Sequence, residues 1–143
     1  MNSSISFGLA FAVIISALLK LIERQTAILV LAIQLGAIYG AYLGFCLSVE
    51  EKERVSKTDQ KNAWSLFDQQ TSIEMIFIMV SIVIGVQSVQ RQSAAIMSLG
   101  YILHGVWDFI HHFTFDKVKV PRWYIPFCSI LDITLGILIY FIL

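Results

Sequence analysis

Charge is scarce in this chain: only 14% of its 143 residues are Asp, Glu, Lys or Arg, and the formal net charge is zero. Soluble globular domains are about a quarter charged and about half apolar. This chain is 57% apolar, with a mean hydropathy of +0.77. The composition excludes a disordered chain and an ordinary soluble enzyme. Because no net positive charge attracts a polyanion, we expect no nucleic-acid partner.

Cysteine and proline are also rare, with two of each in the chain. Two cysteines exclude a disulfide scaffold. The two prolines, Pro121 and Pro126, lie at the start of the last apolar run, where a missing backbone N–H does little harm to a helix. The earlier apolar runs contain no proline, so they are free to form continuous helices.

Five apolar runs define the predicted fold. A membrane-spanning helix needs about 20 residues, and a strand with open edges would leave backbone groups unpaired in lipid. We therefore predict an all-α, polytopic membrane helix bundle, a single transmembrane domain over residues 1–143 that lies in the cytoplasmic membrane of a bacterium. The predicted helices cover about 5–22, 26–49, 73–90, 93–113 and 122–143.

Basic residues in the loops predict the orientation of the bundle. With five crossings, the N-terminus shares a side with the second and fourth loops, which hold seven Lys and Arg residues against three in the other loops. We predict a cytoplasmic N-terminus and an external C-terminus. The cytoplasmic loop 50–72 contains Trp64 and Phe67, which favour a segment lying in the membrane interface. A lid over a cytoplasmic site is the alternative.

Two stretches suggest a parallel repeat of two helices, followed by one extra helix. An apolar run that ends at 24–27 (RQTA) is similar to one that ends at 91–94 (RQSA). In this alignment, Tyr39 of the first copy corresponds to His104 of the second. If the repeat is real, the second copy carries the residues suited to chemistry, such as His104, and the first copy has only a structural role. Chance similarity between apolar sequences is the alternative.

The fourth run, GYILHGVWDFIHH, carries ionisable residues at membrane depth. His104, Asp108 and His111 recur at spacings of four and three, which places them on one helical face. Asp132, in the fifth run, lies at the same estimated depth as His104, about 15 Å from the loop between these runs. A charged carboxyl group in a membrane helix costs roughly 2.5–3.5 kcal/mol. The two polar faces are therefore predicted to meet inside the bundle.

Three interpretations of this cluster remain open. The first is a metal site for iron, zinc or manganese, with His104, Asp108, His111 and Asp132 as ligands and His112 as a further candidate; haem ligation is a related form. The second is an acid–base centre in which His104, Asp108 and Asp132 are the catalytic residues. The third is a structural polar network that fixes the helix register.

Other side chains near this cluster predict an apolar substrate pocket. Tyr101, Trp107 and Tyr124 are expected to line it, and Arg122 would bind an anionic head group or anchor the chain in the interface. The predicted function is a membrane-embedded, metal-dependent or acid–base enzyme for a lipid or isoprenoid-like substrate. The alternative is a non-catalytic subunit or binding protein whose cluster is structural or holds a haem, pigment or quinone.

Two further features have competing interpretations. Glu74, at the start of the third helix, is interpreted as a helix N-terminal acid favoured by the helix dipole, with completion of the site as the alternative. Gly36, Gly40 and Gly44 form a ladder of small residues on one helical face. Close packing within the fold is the first interpretation of this ladder, and a homo-oligomer interface is the second.

The stretches LHGVWDFIHH and VPRWYIPFCSILD resemble stretches of small bacterial integral membrane proteins to which no activity is assigned. The resemblance covers only the last two helices. It implies that the histidine, aspartate and WYIPFC positions belong together. Since it brings no activity, it does not decide among the three interpretations of the cluster.

Overall fold

The computed structural model describes residues 2–56, 69–114 and 123–143, and over these ranges the chain is helical, with no strand. The helices are α1 (Asn2–Leu19), α2 (Arg24–Ser56), α3 (Gln69–Arg91), α4 (Ala94–Thr114) and α5 (Tyr124–Ile142). The predicted all-α class with five helices is confirmed. The interfacial segment predicted around Trp64 and Phe67 lies outside the described residues.

Three of the described helices are long and apolar enough to cross a membrane. The spans are Arg24–Ala41 in α2, Ser72–Arg91 in α3 and Tyr124–Ile142 in α5. The apolar parts of α1 and α4, Ser3–Leu19 and Ala94–Ile110, are shorter. The structure is consistent with a membrane protein, while five crossings and their orientation stay predictions.

The observed helix ends differ most from the predicted ends at the two sides of the loop between α2 and α3, whereas α1 is shifted as a whole, to Asn2–Leu19 from the predicted 5–22. α2 continues to Ser56, beyond the predicted end at residue 49, and α3 begins at Gln69, before the predicted start at residue 73. The length of an apolar run predicts only the part of a helix that lies in lipid. The helix itself can continue into water as long as its backbone hydrogen bonds are made. Polar residues therefore extend both helices past the apolar runs.

Contacts between pairs of helices show which helices are neighbours and whether they run parallel or antiparallel. α5 packs between α1 and α4, and α4 also contacts α2 and α3, which pack against each other. Gly8 on α1 lies against the start of α5, at Phe127 and Leu131, so α1 and α5 run parallel. At the opposite end of the bundle, Arg24 Nε donates a hydrogen bond to Leu143 O over 2.6 Å. α2 and α5 are therefore antiparallel.

Two reciprocal contacts hold α4 against α5. Ser98 Oγ donates to Gly136 O over 2.7 Å, and Ser129 Oγ donates to Gly105 O over 2.8 Å. In both helices the serine precedes the glycine by seven residues, so the two contacts repeat with the helices exchanged. Small side chains let the backbones approach closely, as is usual between membrane helices. These contacts set the register of the pair without an ionisable group.

Adding one methyl group at Gly105 tests this register. An alanine Cβ there would lie 2.8 Å from Ser129 O and 3.0 Å from Ile133 N, and neither backbone atom can move aside cheaply. We expect Gly105→Ala to lower the free energy of unfolding by about 1–3 kcal/mol, measured by helical circular dichroism in mixed micelles. The matched control is Gly36→Ala, whose Cβ meets nothing within 4 Å. An equal effect of both substitutions would contradict this account.

The glycine ladder of α2 does not make the contact that was first predicted for it. A Cβ built at Gly36, Gly40 or Gly44 would meet nothing within 4 Å among the described residues. Close packing of this face within the fold is therefore not observed there. Ala32, one turn before Gly36, is the small residue of this stripe that lies against α3, at Gly85. A homo-oligomer interface through the ladder stays a prediction.

The two stretches aligned in the suggested repeat have different conformations. Arg24 opens α2, whereas its counterpart Arg91 closes α3. Gln92 then adopts a positive φ of 49° in the turn that leads into α4. Similar sequences therefore lie at a helix start in one copy and in a tight turn in the other, and the local structure does not support the repeat.

Candidate metal centre

His104, Asp108 and Asp132 come together in the interior of the bundle. His104 Nδ1 lies 2.7 Å from Asp132 Oδ2 on α5, and His104 Nε2 lies 3.5 Å from Asp108 Oδ1, one turn further along α4. All three side chains are completely buried. One potential ligand atom from each lies within 4.8 Å of the other two. The predicted meeting of His104 and Asp132 is confirmed.

The local sequence explains this placement. His104 and Asp108 are four residues apart on α4, so they share a face. The contact of Gly105 with Ser129 lies on one side of the His104–Asp132 pair along the helices, and the contact of Ser98 with Gly136 lies on the other. The pair is therefore held between two close backbone contacts, which position the imidazole and the carboxylate.

Glu74 brings a fourth ionisable side chain from α3. It is 1% exposed, and both carboxylate oxygens are buried. It does not belong to the group of ligand atoms that lie within 4.8 Å of one another, which consists of His104, Asp108 and Asp132. Its interpretation as a helix N-terminal acid is wrong, because α3 begins at Gln69 and has no acidic residue in its first turn. The feature of the sequence that indicates a buried position for Glu74 is the long apolar run that follows it directly.

Aromatic rings enclose the centre on the side of α2 and α3. The ring of Tyr39 meets the His104 imidazole edge-on, with centroids 4.3 Å apart. Phe77 stacks on Trp107 at 3.9 Å and lies parallel to Tyr39 at 6.3 Å. Trp107 is expected beside the cluster from its position in the fourth run. Phe77 is not expected there, because a phenylalanine in an apolar run is not distinguished by the sequence from any other apolar residue. The rings exclude water, which strengthens electrostatic interactions inside the site.

The residues predicted to line a substrate pocket differ in burial and in their hydrogen-bond partners. Tyr101 is completely buried, and its hydroxyl donates a 3.0 Å hydrogen bond to Leu31 O, so it ties α4 to α2. Tyr124 is partly buried and hydrogen-bonds with the Cys128 thiol one turn along α5. The structure does not describe Arg122 or the side chains of His111 and His112, so their parts in the site stay predictions.

The described charges around the centre do not balance. Glu74, Asp108 and Asp132 are buried near a single imidazole. The described Lys and Arg side chains are all exposed and lie at the opposite end of the bundle: Lys20, Arg24 and Arg91. The chemistry of these donors, imidazole nitrogen and carboxylate oxygen, suits zinc, iron and manganese.

No protein-family model matches the chain, and no curated protein or solved structure is significantly similar to it. The resemblance of the last two helices to small bacterial membrane proteins therefore stays a prediction.

Proposed function

We propose that the chain is an integral protein of a bacterial cytoplasmic membrane, with five spanning helices and a cytoplasmic N-terminus. Its His104, Asp108 and Asp132 form a divalent metal centre that acts on a lipid or isoprenoid-like substrate. The observation that carries the proposal is the convergence of three completely buried ligand groups, from two helices, within 4.8 Å of one another.

A purely structural role would not explain why the bundle buries ionisable groups at a cost in free energy, because the helix register is already fixed by other contacts. The reciprocal contacts of Ser98 with Gly136 and of Ser129 with Gly105 already specify how α4 packs on α5. Burying ionisable groups beside them is expensive, and well-packed apolar residues often stabilise a core more than a buried ion pair does. Ionisable residues inside a membrane bundle are functional by default, and the existing register contacts strengthen that inference here.

A small ion suits this geometry better than a haem. A haem needs open, flat space beyond the ligating nitrogen. Asp132 lies at the Nδ1 side of His104, Asp108 lies near Nε2, and the Tyr39 ring covers an edge of the imidazole. An ion that replaces protons between these donors requires only small movements of the side chains.

The surroundings favour a substrate that is dissolved in the bilayer. The centre is enclosed by Tyr39, Phe77 and Trp107, and large apolar side chains such as Phe109 and Ile110 are exposed on the outer face of α4. A polar substrate would lose its hydration on entering such a site. A bound metal would supply Lewis acidity toward a phosphoryl or carbonyl oxygen of the substrate. His104, oriented by Asp132, would hold or move a proton at Nε2 in the acid–base form of the same proposal.

Metal analysis of the purified protein tests the proposal. We expect protein prepared in detergent without chelator to contain zinc, iron or manganese in stoichiometric amount, measured by mass spectrometry of the elements. His104→Ala and Asp108→Asn should bind the metal roughly tenfold or more weakly, the loss that removing even an outer partner of a ligand causes. After the same purification each should hold clearly less metal than the wild type.

The matched control is Ser16→Ala. Ser16 is a buried polar residue of α1 whose hydroxyl has no hydrogen-bond partner in the described part of the chain. This variant should keep the full metal content. Wild-type protein that holds no stoichiometric metal, and takes up none when zinc, iron or manganese is offered, would refute the metal centre.

A further inference from the structure

Gln34 places an amide in the middle of the apolar span of α2. The rise along the helix from Arg24, where the span begins, to Gln34 is about 15 Å, and the hydrocarbon core of a bilayer is about 30 Å thick. The Gln34 side chain is partly exposed and makes no hydrogen bond within the described part of the chain. Lipid tails offer neither a donor nor an acceptor, so an amide at this depth is stabilised by a partner from another helix.

Gln34 belongs to a face of α2 that the described fold leaves open. The members of this face, which we call the α2 seam, are Val30, Gln34, Ala37, Ala41 and Gly44. They follow one another at spacings of four and three residues, the repeat of a coiled-coil contact, and fall within an arc of about 80°. Val30, Ala37 and Gly44 are exposed, and Gln34 and Ala41 are partly exposed. The buried face of α2 is turned toward α4 instead, where Tyr101 donates to Leu31 O.

A second copy of the chain is the partner that the α2 seam fits. Copies of a membrane protein insert in one orientation, so a two-fold axis along the membrane normal places two α2 helices side by side and parallel. Each residue of the seam then lies at the same depth as its counterpart. A primary amide has both donors and an acceptor, so two Gln34 side chains can each donate to the other. Ala37, Ala41 and Gly44 are small enough to let the backbones approach closely.

We infer that the chain forms a parallel homodimer through the α2 seam, held by reciprocal hydrogen bonds between the two Gln34 amides. This contact differs from one through the glycine ladder. Gly36 lies about 120° around α2 from the centre of the seam, and only Gly44 is common to both. Spacings of four and three residues suit a left-handed crossing of about 20°, whereas small residues at every fourth position suit a right-handed one.

Energy transfer between donor-labelled and acceptor-labelled copies of the full chain in lipid vesicles tests the inference. We expect the wild type to dimerise as the ratio of protein to lipid rises. Gln34→Leu should raise the dissociation constant by roughly 3–30-fold, the range that interhelical hydrogen bonds contribute in membranes. Gln90→Leu, which changes an exposed glutamine of α3, is the control and should dimerise as the wild type does.

Cysteine cross-linking locates the contact with substitutions that keep side chains small. In a chain made free of other thiols by Cys46→Ser and Cys128→Ser, Ala37→Cys and Gly36→Cys form a matched pair of neighbours. Two thiols are joined by an oxidant only where their Cα atoms come within about 7 Å. We expect Ala37→Cys to form a cross-linked dimer in vesicles, and Gly36→Cys to stay uncrosslinked although its Cβ meets nothing within 4 Å in the protomer.

Three results would overturn the inference: a wild type that stays monomeric at every protein-to-lipid ratio, a Gln34→Leu variant that dimerises as tightly as the wild type, or cross-linking through Gly36→Cys rather than Ala37→Cys. The last result would assign the contact to the glycine ladder. Helical circular dichroism in the same vesicles checks that each variant is folded. The seam contains none of His104, Asp108 and Asp132, so these outcomes leave the proposed metal centre untouched.

Discussion

Replacing His104 with leucine is expected to lower the free energy of unfolding of the metal-free protein by about 3–5 kcal/mol. Removing one member of a buried ionic pair leaves the other without compensation, and losses of this size are usual. Here two completely buried carboxylates, Asp108 and Asp132, would lose the basic group between them. The loss is measured by circular dichroism at increasing SDS fraction in mixed micelles, with chelator present.

A double variant separates charge from packing. His104→Leu with Asp132→Leu removes the hydrogen-bonded pair together, and replacing a buried pair by apolar residues is often neutral. We expect it to recover at least half of the loss in the single variant. Ser16→Ala should change stability by less than about 1 kcal/mol, since it removes a hydroxyl without a partner in the described part of the chain. A single-variant loss below 1 kcal/mol would contradict the burial argument.

Zinc(II) is expected to raise the free energy of unfolding of the wild type by about 2.7 kcal/mol at a free concentration 100 times its dissociation constant. An ion that binds only the folded centre shifts the equilibrium by mass action, because the unfolded chain does not bring His104 on α4 and Asp132 on α5 together. The measurement is the same unfolding transition with zinc(II) or with chelator. Magnesium(II) should stabilise less, because it prefers oxygen ligands and gives up its water reluctantly.

The Asp108→Asn variant provides the comparison for this effect. At the concentration used for the wild type, zinc(II) should raise its stability by no more than about 1.4 kcal/mol, the value for a tenfold weaker site. If zinc(II) stabilised both proteins equally, the ion would bind somewhere other than the His104–Asp108 face, and the proposed centre would be wrong.

The meeting of His104 and Asp132 was predictable from the sequence for identifiable reasons. Ionisable residues stand out in apolar runs, and lipid forces them toward the bundle interior. A helix rises 1.5 Å per residue, so counting from the short loop places both residues at the same depth. These arguments need only chain position and local chemistry. They do not depend on how the other three helices pack.

Glu74 and the glycine ladder show where such arguments fail. An acid near the start of a helix can face solvent or the interior, and the rotation of α3 against α2 and α4 decides which. The same holds for small residues: Gly105 and Gly136 lie against a neighbouring backbone, whereas Gly36 and Gly40 lie beside open space. All of these glycines lie in apolar runs, so residue type and surroundings in the sequence do not separate the two cases.

The sequence by itself determined the helical class, the five helices and the helix pair that carries the His–Asp centre. Run length, backbone hydrogen bonding and the cost of buried charge act locally, so they can be read from residue order. Only the tertiary structure decided that Asp132 meets Nδ1 while Asp108 lies nearer Nε2, and that Glu74 is buried. Those details depend on ångström-scale packing, set by contacts such as Ser129 with Gly105 between residues distant in the chain.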